Sequence, residues 1–164
     1  MSDFVPFVHL HVHSHYSLGD SINKISNIYE KTLKYNMKAV ALTDHGNLFG
    51  AADFFLSAPK FKIKPVIGCE MYVTPFDLTK KKIDEGEARY YHLVLLAKDT
   101  EGYKNLVEMV SIASLEGFYY RPRIDFKILE QKSKGLVALS ACLGGEIPRL
   151  IMDKDLKKAE ERAR

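Results

Sequence analysis

Histidine is concentrated near the start of the chain, where four of the six histidines occupy alternate positions. They are His9, His11, His13 and His15. In an extended strand, residues two apart point to the same side and lie about 6.6 Å from each other, so neighbouring members of this set can face one cavity. Imidazole nitrogen is a good ligand for zinc, manganese and iron, but the alternation alone does not show which of the four would bind a metal.

Further residues with metal-ligand chemistry follow the predicted strands near their carboxyl ends. The set comprises Asp20, Asp44, His45, Glu70 and Cys142. In a parallel α/β fold, ligands and catalytic groups gather at this edge of the sheet, so we expect these side chains to converge. Several imidazoles and carboxylates together can hold two or more ions that activate water and neutralise the charge of a phosphoryl group. The pattern therefore indicates a metal centre for phosphoester chemistry.

Each of these residues has a simpler interpretation when it is taken alone. A carboxylate at a strand end, such as Glu70, is often a surface group, and Cys142 could be a small buried hydrophobic residue. Asp44 and His45 precede a glycine and suit a turn, whereas Asp20 suits a helix N-cap. Their coincidence at the ends of separate strands favours the metal centre.

The hydrophobic pattern predicts an alternation of strands and helices. Strands are expected at 4–14, 38–43, 65–73, 91–97 and 136–140, helices at 20–35, 47–57, 100–115 and 153–164, and loops at 74–89 and 117–125. Such alternation implies parallel strands joined by crossover helices, in either a doubly wound sheet or a barrel. In that arrangement His92 lies at the start of its strand, away from the other ligands, and its position alone indicates an ordinary hydrogen-bonded strand histidine.

Length and composition indicate a single soluble domain. The chain has 164 residues, of which 46% are hydrophobic and 27% charged, and its net charge of +3 permits a phosphate or nucleic-acid partner without requiring one. Its start lacks the features of a signal peptide, and no apolar run approaches the ~20 residues of a membrane helix. We therefore expect a cytoplasmic protein without a membrane partner, in which Cys69 and Cys142 are reduced.

Four runs of sequence resemble, in order and spacing, the motifs of PHP (polymerase and histidinol phosphatase) domains in the alpha subunits of bacterial replicative polymerases. The runs are F-V-H-L-H-V-H-S-H-Y-S at 7–17 followed by Asp20, T-D-H-G-N-L-F-G at 43–50, K-P-V-I-G-C-E at 64–70 and H-L-V-L-L-A-K at 92–98. Two further segments, 115–125 and 139–148, resemble the polymerase branch of the family rather than its phosphatases. The resemblance covers essentially the whole chain.

The resemblance implies a ligand set for two or three divalent ions, which would be zinc, manganese or iron. The implied metal ligands are His11, His13, Asp20, His45, Glu70, His92 and Cys142. His9, where many family members have aspartate, and Asp44 are expected to contact the ligands rather than the metal. Possible DNA contacts are Tyr119, Tyr120, Arg121 and Arg123, although these side chains could equally pack their own loop.

The implied fold is α/β, an incomplete distorted (β/α)7 barrel of the PHP type. The chain has fewer predicted strands than the family's barrel, and nothing in it matches the Asp-x-His that closes the family's metal site. We therefore expect residues 1–164 to be the amino-terminal portion of a PHP domain, truncated before the last metal-ligand motif and inactive as an isolated fragment.

The activity that the resemblance implies is phosphodiester hydrolysis at a DNA 3′ end, as a 3′–5′ proofreading exonuclease within a DNA-directed DNA polymerase. The implied partners are DNA, the remainder of the polymerase chain and the other replisome subunits. Two alternatives remain, namely a non-catalytic, metal-stabilised scaffold of the polymerase and a phosphatase that acts on small phosphate monoesters. The polymerase-type segments after Leu115 count against the phosphatase.

Overall fold

A computed structural model describes residues 7–164, which form a mixed five-stranded sheet and six helices. The strands are β1 (Ala39–Leu42), β2 (Lys64–Thr74), β3 (Tyr91–Ala97), β4 (Arg123–Asp125) and β5 (Leu136–Leu139). The helices are α1 (Ile25–Lys34), α2 (Ala51–Phe61), α3 (Thr100–Leu115), α4 (Phe126–Gln131), α5 (Glu146–Met152) and α6 (Leu156–Ala163). The predicted α/β class is confirmed.

The long strand β2 is the centre of the sheet. β1 pairs in parallel with its first residues and β4 in parallel with its last three, while β3 runs antiparallel along its other edge. Val73 shows the two edges directly, because it pairs with Tyr91 of β3 and with Ile124 of β4. β5 then pairs antiparallel with β3. The strand order is therefore β1-β2-β3-β5, with β4 beside the end of β2.

The expectation of an all-parallel sheet is wrong. Residues 75–90, which connect β2 to β3, contain no helix that could carry the chain back along the sheet, so β3 returns antiparallel to β2. β5 is antiparallel to β3 and consequently parallel to β2. As a result, the start of β3 lies at the same edge of the sheet as the ends of β2 and β5.

The histidine-rich segment is extended but does not form the regular strand predicted for it, and residues 4–6 of that prediction lie outside the described part. The N–H of Ala41 donates to the carbonyl of His9 at 2.9 Å. The N–H of Thr43 donates to the carbonyl of Val12 at 2.8 Å, but the Val12 N–H donates to the side-chain Oγ1 of Thr43, at 2.9 Å. Because a side chain takes the place of a backbone carbonyl, the segment follows β1 without completing a ladder.

Helix boundaries account for other differences from the prediction. α1 begins at Ile25 rather than near Asp20, and α2 begins at Ala51 and includes Pro59 in its last turn. The last helix begins at Leu156. The sequence does not predict α4 and α5, because helices of six and seven residues are too short to show a periodic apolar stripe.

β4 lies within the segment 117–125, which the sequence predicts as a loop. Its central residue Ile124 is fully buried, and the flanking Arg123 and Asp125 are buried as well. Three residues are too few to show the alternation typical of a strand, and charged residues on both sides of a single isoleucine do not indicate burial. Asp125 is accommodated because it accepts hydrogen bonds from the N–H groups of Leu78 at 3.1 Å and Ile128 at 2.9 Å.

Two apolar clusters hold the strands in place. One joins α1, α2 and β1 around Tyr29, whose ring stacks on Phe54 and Phe61 at centroid distances of 4.8 and 5.0 Å. The Tyr29 O–H donates to the carbonyl of Phe54 at 2.6 Å, so the buried hydroxyl is satisfied. The other cluster packs α3 against β2, β3 and β4, with Leu106 and Met109 fully buried.

Residues 7–164 contain neither a helix long and apolar enough to cross a bilayer nor a disulfide bond. Cys69 is buried and Cys142 is exposed, and both are free thiols. Burial raises the pKa of the Cys69 thiol far above its usual value, so this residue behaves as a small apolar side chain of the core.

Replacement of Phe54 by alanine should destabilise the fold by about 3–5 kcal/mol, because it leaves a cavity beside Tyr29. Phe55, the next residue on α2, is 59% exposed, and its replacement by alanine should cost less than about 1 kcal/mol. Urea unfolding of both variants measures the difference. Equal losses would contradict the packing described for α2.

Candidate metal site

Glu70 is a buried carboxylate in the middle of β2. Its backbone pairs with β3 on one side and with the residues just after β1 on the other, and its side chain is only 1% exposed. A carboxylate removed from water needs donors or cations around it. Burial would by itself raise the pKa of Glu70, but the imidazoles of His11, His13 and His92 lower it well below its usual range. The group is therefore ionised and surrounded by nitrogen atoms.

His11 and His13 reach one oxygen of this carboxylate from the extended segment beside β1. Nε2 of His11 lies 2.7 Å and Nε2 of His13 lies 2.9 Å from Oε2 of Glu70. The two Nε2 atoms are 3.1 Å apart, so the alternate spacing does bring both rings to one point. Burial lowers the pKa of His13, but contact with Glu70 outweighs this effect and raises the pKa above its ordinary value.

His92 reaches the other oxygen of Glu70 from β3, with Nδ1 at 2.7 Å from Oε1. The interpretation from strand position, an ordinary histidine away from the cluster, is wrong because β3 is antiparallel and starts beside the end of β2. The register places His92 opposite Tyr72, two residues beyond Glu70. The family resemblance, which includes His92 among the ligands, agrees with this placement.

His45 lies between Glu70 and Asp20. Its Nδ1 is 3.5 Å from Oε2 of Glu70, its Nε2 is 3.3 Å from Oδ2 of Asp20, and its ring stacks on His13 at a centroid distance of 4.2 Å. Asp20 does not cap α1, and its side chain is 56% exposed. Burial lowers the pKa of His45, and the imidazoles of His13 and His92 lower it further. A neutral imidazole is the form that binds metals.

Cys142 lies at the edge of the cluster, just after β5. Its Sγ is 3.5 Å from Nδ1 of His92 and 3.8 Å from Oε1 of Glu70, and it accepts the N–H of Gly144 at 3.3 Å. The residue is exposed, so the alternative of a buried hydrophobic side chain is wrong. A thiolate here could ligate an ion that His92 and Glu70 also contact.

Asp44 holds the loop that follows the paired histidines. Its buried carboxylate accepts hydrogen bonds from the N–H and O–H of Ser14 and from the O–H of Ser17, each at 2.7 Å. The expected direct contact between Asp44 and a ligating imidazole is not among these contacts. Asp44 acts on the ligands through a serine instead.

Ser17 connects Asp44 to two of the histidines. Since its O–H donates to Asp44, its oxygen is left to accept from the backbone N–H of His45 at 3.1 Å and from the ring Nδ1 of His13 at 3.3 Å. This arrangement places a proton on Nδ1 of His13 and leaves Nε2, which faces Glu70, for a metal. Ser17 lies within the histidine-rich motif, but its own type gives no signal of this role.

His9 and His15 lie outside the cluster. His9 is exposed, and its ring contacts Phe7 at a centroid distance of 4.9 Å. His15 is also exposed, with Nδ1 3.2 Å from the carbonyl of Asn23. The expectation that His9 contacts a ligand is therefore not met in the structure. The chain turns after His13, so alternate spacing no longer carries the next histidine to the site.

Three overlapping groups of side chains bring their ligand atoms within 4.8 Å of one another. They are His11, His13 and Glu70; His13, Asp20 and His45; and His45, Glu70 and His92. Imidazole and carboxylate donors shared between groups suit neighbouring divalent ions, because a carboxylate can bridge them. Nδ1 of His45 is buried and has no hydrogen-bond partner within residues 7–164, as expected of a nitrogen that awaits a ligand. The residues present fit divalent metal ions.

Arg123, one of the possible DNA contacts, is fully buried. Its Nε donates to the carbonyl of Gly117 at 3.2 Å, and its Nη2 lies 3.5 and 3.3 Å from the carbonyls of Leu78 and Lys80. The guanidinium also lies 5.0 Å from the ring of Tyr119. The prediction of a phosphate contact is therefore wrong for Arg123, whose side chain packs the loop from within.

Tyr120 and Arg121 remain exposed on this loop. The Arg121 guanidinium lies 5.8 Å from the ring centre of Tyr72, a buried residue whose ring in turn stacks on His45 at 5.8 Å. Tyr72 therefore connects the loop to the metal site. Sequence could have indicated this role, since Tyr72 is two residues after Glu70 and faces the same side of β2.

The chain belongs to the PHP domain family, whose model matches residues 9–164. The family resemblance seen in the motifs is thereby confirmed, and the five-stranded sheet with its helices is an incomplete barrel of the PHP type.

Curated relatives are similar over nearly the whole chain. DNA polymerase III subunit alpha of Borreliella burgdorferi is 54% identical over 154 residues, which cover 94% of this chain and 13% of that protein. The subunit of the same name from Thermus aquaticus is 46% identical over 165 residues, with 99% and 14% covered. The chain thus spans about one-seventh of the length of these relatives. An amidohydrolase structure from Chromobacterium violaceum superposes with a TM-score of 0.46 at 22% identity, over 65% of this chain and 32% of that one.

Replacement of Ser17 by alanine should weaken zinc affinity about 10- to 100-fold, because His13 loses the acceptor that holds its ring. Competition with a chromophoric chelator measures the affinity. Nitrogen NMR shifts of the zinc-loaded protein should show the proton of His13 on Nδ1. Ser26, an exposed serine on α1, provides the matched control, and its replacement by alanine should leave the affinity unchanged. Equal affinities of both variants would contradict the role of Ser17.

Proposed function

We propose that the chain is the PHP portion of a bacterial replicative polymerase alpha subunit and removes nucleotides from DNA 3′ ends, as a 3′–5′ exonuclease. The observation that carries this proposal is the convergence of four imidazoles on the buried carboxylate of Glu70. The similarity to DNA polymerase III subunit alpha supports the polymerase context. The proposed partners are DNA, the remainder of the polymerase chain and the other replisome subunits, in the bacterial cytoplasm.

The length of the relatives supports a related proposal about domain organisation. The chain covers 13–14% of them, and we propose that residues 1–164 are the amino-terminal portion of a PHP domain in a longer polymerase chain. The proposed domain continues to the family's last metal-ligand motif, which this sequence does not contain.

The proposed cofactors are two or three divalent ions of zinc, manganese or iron. The residues that would hold them are His11, His13, Asp20, His45, Glu70, His92 and Cys142. When bound, such ions activate water and neutralise the negative charge that develops on a phosphoryl group.

The chain's own residues orient this chemistry. Glu70 offers one oxygen towards His11 and His13 and the other towards His92, so it can be shared by neighbouring ions. Ser17 fixes the ring of His13. The buried ring of Tyr72 stacks on one side of His45, whereas Asp20, on the Nε2 side of His45, is 56% exposed.

A metal-stabilised scaffold without catalysis is the second candidate function. The cluster joins three separate parts of the chain, namely the extended segment, the turn after β1 and the pair β2–β3, so an ion here would stabilise the fold whether or not it reacts. Metal content and stability therefore do not separate the two functions, whereas activity does.

Double replacement of His11 and His13 by alanine should lower the metal content of the purified protein, because both nitrogens face the same oxygen of Glu70. Elemental analysis measures the content. Chelation of the metal should lower the melting temperature of the wild type, since only the folded state binds the ions. An unchanged metal content in the double variant would refute the assigned ligands.

Replacement of Glu70 or His45 by alanine should abolish removal of nucleotides from labelled single-stranded DNA, measured with manganese or zinc in the complete native protein. Each change removes a ligand from the shared groups, and a loss of at least about 100-fold is expected. His15, the exposed histidine outside the cluster, is the matched control, and its replacement by alanine should preserve activity.

Activity that survives both ligand substitutions would point to a contaminating nuclease. A wild type that binds metal but cleaves nothing would favour the scaffold. Preferential hydrolysis of small phosphate monoesters over DNA would instead support the phosphatase.

A further inference from the structure

Two loops meet beside the metal site, on the buried ring of Tyr72. The loop at 75–90 ends at Tyr90, whose ring contacts Tyr72 edge-on at 4.9 Å and lies nearly parallel to His92 at 6.1 Å. The loop at 116–122 contributes Arg121, whose guanidinium lies over Tyr72 at 5.8 Å. Both loops therefore border the cluster at a distance of one aromatic ring.

A second contact joins the same two loops further out. The Arg89 guanidinium lies over the ring of Tyr120, 4.5 Å from its centre. The two loops thus place two arginines and two tyrosines side by side, and we name Arg89, Tyr90, Tyr120 and Arg121 the arginine–tyrosine rim. Arg89, Tyr120 and Arg121 are exposed, and Tyr90 is partly exposed.

The arginines of the rim are exposed and, unlike Arg162 and Arg164, have no acidic partner within residues 7–164. Arg162 and Arg164 pair with glutamates, and Arg123 is buried against carbonyl oxygens. Within residues 7–164, Arg89 and Arg121 form neither an ion pair nor a side-chain hydrogen bond, and each guanidinium lies over an aromatic ring. A guanidinium held in this way keeps its donors available for a phosphate oxygen.

The loop that carries Tyr120 is held in a fixed, strained conformation. Tyr120 has a φ of 62°, a left-handed value that is rare for a bulky residue, and its ring is 63% exposed. The N–H of Tyr119 donates to the carbonyl of Arg121 at 3.1 Å across this residue. Buried Arg123 anchors the loop from below, through the carbonyl of Gly117. A strained, anchored backbone that presents an aromatic ring to solvent is typical of a binding site.

We propose that the arginine–tyrosine rim binds the last nucleotides of a single-stranded 3′ end, with bases stacked on Tyr90 and Tyr120 and phosphates bound by Arg89 and Arg121. The inference rests on the proposed exonuclease function and assigns the residues that bind its DNA substrate beside the cluster. Bases within a duplex already stack on their neighbours and cannot use these rings, so the rim selects unpaired ends. A small phosphate ester would reach the cluster without contacting the rim.

Kinetics of rim variants of the complete native protein test the proposal with two substrates, a labelled single-stranded oligonucleotide and bis(p-nitrophenyl) phosphate. Replacement of Arg121 by glutamine or of Tyr90 by leucine should lower kcat/KM for the oligonucleotide at least about 10-fold, mainly through KM. Hydrolysis of the small diester should stay unchanged, because the ligands of the cluster are intact. Tyr90→Phe keeps the ring and should retain oligonucleotide cleavage.

The matched control is Arg149→Gln. Arg149 lies over the ring of Tyr91, which alternates with His92 on β3 and so points to the other face, and this variant should cleave both substrates normally. Equal losses on both substrates in the rim variants would show that the rim only supports the cluster and would overturn the proposal. No loss on either substrate would overturn it as well.

Photocrosslinking separates failure of the rim from failure of the exonuclease. An oligonucleotide with 5-iodouracil at its 3′ end should crosslink to Tyr90 or Tyr120, as mapped by mass spectrometry, whether or not the DNA is cleaved. Crosslinks without cleavage would refute the exonuclease function and support binding of DNA by the rim. Cleavage without crosslinks at either tyrosine would refute binding by the rim and support the exonuclease function.

Discussion

An ionised carboxylate that is 1% exposed, as Glu70 is, costs several kcal/mol unless donors or cations replace the lost water. In this protein the replacement comes from imidazoles on three separate parts of the chain, those of His11 and His13, of His45 and of His92. Each part must arrive in a fixed register. A slip of one residue between β2 and β3 would turn His92 to the opposite face of the sheet and leave one oxygen of Glu70 without it.

The same physical rule applies to the buried side chains of Asp44 and Arg123, which position loops. Asp44 is satisfied by Ser14 and Ser17, and it thereby fixes the turn that follows the paired histidines. Arg123 is satisfied largely by backbone carbonyls, although its Nη1 has no partner within residues 7–164. Removal of either charge would release a loop whose shape the site depends on. The loops around the site therefore keep their shape because these buried charged side chains are hydrogen-bonded.

Long, periodic elements could be predicted from the sequence, and short ones could not. The bounds of β3 and α3 agree with the prediction because seven and sixteen residues are enough to show their pattern. β4 was not predicted, since its charged residues are satisfied by contacts that only the tertiary structure supplies. The antiparallel direction of β3 has a signal in the sequence, because the loop predicted at 74–89 leaves no crossover helix between β2 and β3.

The metal site shows the same division. His11, His13, His45 and Glu70 come together as their types and strand positions predict. The family resemblance includes His92 among the ligands, whereas its strand position does not, because β3 runs opposite to the predicted direction. Ser17 and Tyr72 have side chains too common to stand out, and only their contacts reveal what they do. The candidate ligands can therefore be predicted from residue type, whereas the residues that hold them in place are found only from the fold.

Residues 75–90 connect two neighbouring antiparallel strands, so the length of this loop can change without changing the geometry of the cluster. The loop leaves β2 and re-enters at β3 where Val73 already faces Tyr91, so the ladder fixes both of its ends. Each doubling of such a loop costs only about 0.6 kcal/mol of closure entropy. At Gly86 there is open space around the backbone. The tip of the segment around Gly86 can thus be lengthened, shortened or replaced by evolution or protein engineering while Glu70 and His92 stay in register, whereas Leu78 and Lys80 must remain as partners of buried Asp125 and Arg123.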